Sequence, residues 1–230
     1  MFSMNLTMPS LFRSKKRVAA QTAPPPVKSP DALRRELRAS LEQVGRSYFE
    51  FGEVVIDDAI ADCRVYANRH RAIETLPKGG VVTEVGTQTG RFAEHFFTAA
   101  KPEKLHLFDL SREWFDSSLL VEPIRQGLVE IHLGDSSTEL GKFPAEHFDW
   151  LYIDGDHSYA GVKKDIAQAI RTVKRDGVLV FNDYTVWSPL EVCNYGVLKA
   201  VNELVNAGEW EFLYLALHPW GYHDAALRRR

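Results

Sequence analysis

Between residues 31 and 76 apolar side chains recur at helical spacing. Leu33, Leu37, Leu41 and Val44 form one series, and Ser29-Pro30 ahead of it supplies a capping residue and a first-turn proline. A second helix is predicted roughly from Glu53 to Leu76. It is carried by Val54, Ile56, Ile60, Val65 and Ile73 and stopped by Pro77-Lys78-Gly79-Gly80. From residue 81 the pattern changes. Short apolar runs at Val81–Val85, Lys104–Phe108, Leu128–Leu133, Phe148–Ile153 and Val178–Phe181 read as strands. They alternate with helical stretches at Thr89–Ala100, Ser111–Gln126, Ser158–Lys174 and Val192–Ala207. Trp210–Leu217 and Tyr222–Leu227 close the series, which makes seven strands. This alternation predicts an α/β fold: a doubly wound, mostly parallel sheet with helices on both faces, preceded by an N-terminal helical extension.

Composition narrows the class. The chain has 230 residues, 45% hydrophobic and 26% charged, values of an ordinary globular protein. Residues 1–30 mix Ser, Thr and Pro, and the run Pro24-Pro25-Pro26 cannot lie inside a helix. The expected organisation is therefore a disordered tail over 1–30, a helical extension over 31–80 and the sheet domain over 81–230. The tail carries a charge of +5 and the remainder −8. So acidic a body is a poor general binder of nucleic-acid phosphates. No apolar run approaches the ~18 residues of a membrane span. Two cysteines, Cys63 and Cys193, exclude a disulfide framework and fit a cytoplasmic location. An organelle transit peptide is the alternative reading of the acid-free tail. Neither nucleic acid nor membrane is expected as a partner. A small-molecule acceptor is, and a homo-oligomer stays open.

Ligands of open parallel sheets bind beyond the carboxyl ends of the strands. The first strand ends in Glu84-Val85-Gly86-Thr87-Gln88-Thr89-Gly90, with glycines for a sharp exit and a close helix start. Asp109 ends the second strand nineteen residues after Gly90, close to the spacing at which a carboxylate reaches a ribose. The third end holds Asp135 and Ser136, which suit either an adenine amino group or a helix cap. The fourth, Ile153-Asp154-Gly155-Asp156-His157, crowds titratable groups at a strand exit. Asp149, at that strand's entry, reads as structural, and Asp156 as a helix cap. Asn182 and Asp183 end the fifth. With Asp154 they offer three oxygen donors, a set that suits Mg²⁺ over zinc; without a metal they are strand-end caps.

The segments TEVGTQTGRF (83–92), LFDLS (107–111), LGDSS (133–137), YIDGDHSYAGVKKD (152–165) and FNDY (181–184) resemble class I S-adenosylmethionine-dependent methyltransferases. Within that class the resemblance is to metal-dependent O-methyltransferases of the macrocin and cephalosporin-hydroxylase-like type. It implies a Rossmann-like fold. It also implies S-adenosylmethionine held by Glu84, Gly86, Thr87, Gln88, Gly90, Asp109, Asp135, Ser136 and Asp154. Mg²⁺ on Asp154, Asn182 and Asp183, and His157 as general base, follow from the same resemblance. Asn182 departs from the Glu-Asp pair of the macrocin type, and Gln88 from the usual glycine. The implied reaction is direct methyl transfer to a hydroxyl of a diol, catechol or sugar. The competing readings are a nicotinamide-dependent oxidoreductase, a metal-independent methyltransferase and a non-catalytic cofactor-binding partner protein. Tyr184, Trp187 and Tyr195 are candidates for an acceptor wall or for packing, and His218, Trp220 and His223 for a pocket rim or an oligomer contact.

Overall fold

The computed structural model describes residues 29–44 and 52–230. The chain divides into two units between Gly45 and Arg46. In the first, helix α1 (Pro30–Val44) starts as its sequence predicts: the Ser29 hydroxyl accepts from the Ala32 N–H at 3.3 Å. The expected disordered tail falls outside the described residues, apart from Ser29 and Pro30.

The second unit holds β1 (Arg64–Tyr66), α2 (Arg69–Ile73), β2 (Val81–Val85), α3 (Arg91–Ala100), β3 (Lys104–Asp109), α4 (Val121–Arg125), β4 (Val129–Leu133) and α5 (Ser136–Leu140). It continues with β5 (Phe148–Ile153), α6 (Tyr159–Thr172), β6 (Val173–Phe181), β7 (Trp187–Ser188), β8 (Cys193–Asn194), α7 (Val197–Asn206), β9 (Trp210–Ala216) and β10 (Asp224–Arg229). The main sheet runs β1-β9-β10-β6-β5-β2-β3-β4. The pairs among β2 to β6 are parallel, while β10 runs antiparallel to both neighbours. The chain moves outward from β2 in both directions, so the switch point lies between β2 and β5.

Each central strand is buried on both faces, which is why the strands read as continuous apolar runs. Phe148, Leu151, Ile153, Leu179 and Phe181 pack toward α6 and α7. Val82, Leu105, Leu107, Trp150 and Tyr152 pack toward α2 and α3. Full burial of such side chains contributes about 1.5–3 kcal/mol each before entropy is counted.

Four expectations are corrected. The sheet has eight strands rather than seven, because Arg64–Tyr66 adds a parallel edge strand to β9. That strand lies inside the predicted helix 53–76, which reduces to a 3₁₀ turn at Asp57–Ala59 and the short α2, capped by Asn68. The predicted helix 111–126 survives only as α4. Ser117 competes with the backbone there: its hydroxyl donates to Glu94 at 2.7 Å and accepts from the Leu120 N–H at 3.2 Å. The predicted helix 192–207 begins only at Val197, because 187–194 forms the small β7–β8 hairpin.

Candidate active site

The carboxyl ends of β2 to β6 open into one cleft of ≈ 770 Å³. Its floor is shaped by Gly86, whose φ of 86° is left-handed. A Cβ on Gly86 would meet the Asp154 carbonyl oxygen at 1.9 Å, so the β2 and β5 exits can approach only with glycine there. Gln88 is left-handed too, at φ 46°, and its N–H donates to Asp109 Oδ2 at 2.6 Å. The carboxylate at the end of β3 thus orders the loop after β2. Glu84 is buried, and among the described residues its Oε2 has no hydrogen-bond partner; nor has Thr87 Oγ1. Burial first, and the nearby Asp154 charge second, push the Glu84 carboxyl well above its ordinary value. A side cavity of ≈ 260 Å³ beside Glu84 and Thr87 is also lined by Arg69 and Arg91.

After β4, Asp135 lines the cleft and caps α5. Its Oδ1 accepts from the Thr138 N–H at 2.9 Å and from the Ser137 and Thr138 hydroxyls. These bonds lower its pKa to about 2. The Ser136 hydroxyl is turned to Asp165 Oδ1 at 2.5 Å. Asp165 is buried, and desolvation raises its carboxyl to about 6. The folded form therefore holds its proton more tightly than the unfolded chain. That contribution is full below the unfolded value near 3.8 and is lost as pH rises through about 6. Asp165→Asn keeps an acceptor for Ser136 and removes the charge. It is expected to raise stability at pH 7 by about 1–3 kcal/mol and to change little below pH 4, measured by urea unfolding at both pH values.

The exits of β5 and β6 carry the densest chemistry. His157 Nε2 lies 3.1 Å from Asp154 Oδ1 and 3.6 Å from Asp183 Oδ2. The imidazole stacks on Tyr195, with ring centroids 4.5 Å apart and planes 8° from parallel. Burial works against the imidazolium, but the bond to Asp154 and the charges of Asp154, Asp183 and Glu191 outweigh it and raise the His157 pKa. Asp183 is raised to about 6, first by burial and then by Asp154. Asn182, beside it, donates from Nδ2 to Asp224 Oδ1 at 3.0 Å. That bond sets the amide, with Oδ1 on its opposite edge.

Residues 83–184 match the model of a methyltransferase domain family. That segment is similar to methyltransferase domains. Solved structures share its fold. The pyocyanin biosynthetic protein PhzM aligns with 87% of this chain at TM-score 0.54 and 18% identity. This chain spans only 59% of that protein's length. The O-methyltransferase TomG from Streptomyces achromogenes, solved in complex with SAM, aligns over 88% of this chain and 91% of its own at TM-score 0.54 and 17% identity. The B. subtilis M1A22 tRNA methyltransferase TrmK gives TM-score 0.52 at 9% identity, over 71% of this chain and 66% of its own. At such identities these likenesses establish the Rossmann-like fold alone. No curated protein matches the sequence.

The sheet brings nearly all the sequence-derived candidates to one place. Gly86, Gln88, Asp109, Asp135, Ser136, Asp154, His157, Asn182 and Asp183 line the main cleft. Glu84 and Thr87 line the side cavity, which Gly86, Gln88 and Asp154 also border. Gly90 starts α3 at φ 78°, with Phe115 packed against it. Asp149 serves the strand entry, where Oδ2 accepts from the Val81 N–H at 2.7 Å and Oδ1 meets Lys174. Ser158 is the cap of α6, and Asp156 closes the turn onto the Ser158 N–H at 2.8 Å. Tyr195 and His218 line the cleft, whereas Tyr184 bonds Asn202 at 2.6 Å and packs on Phe212.

Sequence reasoning missed a buried network behind the domain's β6 exit. Asp224 accepts from Asn182 and, at 2.9 Å, from the Tyr152 hydroxyl. Arg69 reaches the same hydroxyl at 3.4 Å. Asp224 starts the antiparallel strand and Arg69 lies on α2, so no local motif flags either. Asp224→Ala leaves two buried donors unpaired. It is expected to cost about 2–4 kcal/mol, read as a lower urea midpoint, with Asp224→Asn recovering part of the loss.

Proposed function

We propose that this chain is an S-adenosylmethionine-dependent O-methyltransferase acting on paired hydroxyls of a small molecule. The observation that carries the reading is His157 set between Asp154 and Asp183 on the floor of the cleft, beside the loop after β2. When bound, S-adenosylmethionine supplies an electrophilic methyl group on a positively charged sulfur. The cleft suits that ligand. Glu84 Oε2, without a hydrogen-bond partner among the described residues, would face an ammonium whose charge favours the ionised carboxylate, while Arg69 and Arg91 line the same side cavity and suit the ligand's carboxylate. Asp109 sits where ribose hydroxyls find an acceptor. Asp135 and Ser136 border the far end, where the adenine belongs.

His157 takes the acceptor's hydroxyl proton on its free ring nitrogen, and the resulting imidazolium, its Nε2–H on Asp154, is balanced by the charges of Asp154 and Asp183. Tyr195 keeps the imidazole plane fixed through stacking, so the base is pre-oriented. The donor set also fits a divalent cation. Burial, and then the Asp154 charge, raises the Asp183 carboxyl, and the Asp224 bond fixes the Asn182 amide edge. Asp154, Asn182 and Asp183 would hold Mg²⁺, whose contribution would be to orient an acceptor hydroxyl and lower its pKa. Two neighbouring hydroxyls chelate such an ion best, which supports a catechol or vicinal diol as acceptor. Tyr195, Tyr222 and Leu190 give the open side of the cleft a partly apolar wall.

The test is transfer of labelled methyl to catechol, to phenol, to a simple diol, and to a thiol and an amine, with Mg²⁺ or with chelator. Catechol or diol turnover that chelator removes and Mg²⁺ restores is the expected result. Undiminished turnover in chelator would remove the metal from the proposal. Turnover confined to nitrogen or sulfur acceptors would remove O-methylation.

A further inference from the structure

We propose a second metal site, for a zinc-class divalent ion, formed by His106, Glu130 and His132 at the outer edge of the sheet. These residues lie on the adjacent parallel strands β3 and β4, and none of the three lines the methyl-transfer cleft. The register pairs His106 with Glu130, and His132 lies two residues beyond Glu130 on the same face. One ligand atom from each residue lies within 4.8 Å of the others. His106 Nδ1 and His132 Nε2 face each other at 2.9 Å.

Without an ion, one of these nitrogens carries a hydrogen and donates it to the other. A tetrahedral ion with metal–nitrogen bonds near 2.0–2.1 Å needs the two nitrogens about 3.3 Å apart, so an opening of a few tenths of an ångström suffices. The displaced hydrogen moves to the far nitrogen of its own ring, and no charge has to be created on either imidazole. Burial, with His132 as neighbour, already holds His106 neutral by lowering its pKa to about 4, and burial lowers His132 too. Neutral imidazole is the ligand form.

Glu130 completes a two-nitrogen, one-carboxylate set, which suits zinc over magnesium. Lys104 holds Oε2 of Glu130 at 2.9 Å and is itself tied to the Gly127 carbonyl at 2.8 Å, leaving Oε1 as the ligand oxygen. His106 is buried under Phe143, His132 is half-buried and Glu130 is exposed. The ion therefore has a path from solvent, and the fourth position is left to water. Ligands on two paired strands make the site a clamp on the sheet edge whose inner strand ends in Asp109.

The experiment titrates Zn²⁺ into the full chain by calorimetry, and Co²⁺ by absorption, alongside Glu130→Gln and His132→Gln. Glu130 is exposed and His132 half-buried, so both variants leave the buried His106 in place. His157→Ala serves as the background in which the cleft has lost its own imidazole. A Zn²⁺ equivalent that the edge substitutions weaken is expected in both the parent and His157→Ala, with Co²⁺ giving the intense bands of a tetrahedral centre. Each edge variant should lose at least about tenfold in affinity. S-adenosylhomocysteine binding should be unchanged in both edge variants, which separates this site from the methyl-transfer reading. Identical Zn²⁺ isotherms in parent and edge variants, or no saturable Zn²⁺ binding in His157→Ala, would overturn the proposal and leave the two histidines as a hydrogen-bonded pair.

Discussion

His157→Ala is expected to lower turnover by about 10²–10⁴-fold while S-adenosylhomocysteine still binds as in the parent. The imidazole lies between two carboxylates, with its plane fixed by an aromatic ring. Removing it takes away the proton acceptor and exposes Asp154 and Asp183 to each other's charge. The cofactor-facing candidates Gly86, Gln88 and Asp109 stay in place, held by backbone bonds that do not involve His157. Single-turnover transfer and a parallel calorimetric titration separate the two effects. His157→Gln, which keeps a hydrogen bond to Asp154 but no base of comparable strength, should be as slow as alanine. Parental rates in either variant would remove His157 from the chemistry.

Gly86→Ala is the substitution with the largest expected effect on stability, about 3–5 kcal/mol, together with loss of cofactor binding. Two costs combine. The left-handed φ of 86° is strained for any L side chain, and the new methyl would lie 1.9 Å from the Asp154 carbonyl oxygen. That oxygen belongs to the strand exit that leads to His157, so relief must separate β2 from β5 at the switch point. Gly127→Ala is the matched control. Its φ of 74° is comparable, but nothing lies within 4 Å of a Cβ there, so it should lose only the conformational part. Urea midpoints of the two variants, compared at equal temperature, read the steric cost directly.

Much of this site is visible in the chain because a parallel sheet turns strand ends into a single edge. Glu84, Asp109, Asp135, Asp154 and Asp183 each follow or end an apolar run, and period and burial locate those runs. Resolving what each carboxylate does takes geometry. Asp135 caps a helix and lines the cleft at once, and Ser136 spends its hydroxyl on Asp165. The edge strand Arg64–Tyr66 escapes a periodicity reading because three residues are too few to show alternation. Its apolar neighbours also mimic a helical spacing. Arg69 and Asp224 escape for a different reason. They meet Tyr152 from positions 83 and 72 residues away, through a helix on one face and an antiparallel strand from the end of the chain. Local composition says nothing about such a meeting.

The claim on which the rest depends is that S-adenosylmethionine lies along the carboxyl ends of β2 to β5. Titration of S-adenosylhomocysteine into the parent and into Asp109→Ala, by calorimetry in metal-free buffer, tests it most directly. Saturable one-site binding in the parent is predicted, weakened at least about tenfold when the carboxylate at the end of β3 is removed, since that group serves both the loop and the ribose. No binding by the folded parent, or equal affinity in Asp109→Ala, would contradict it.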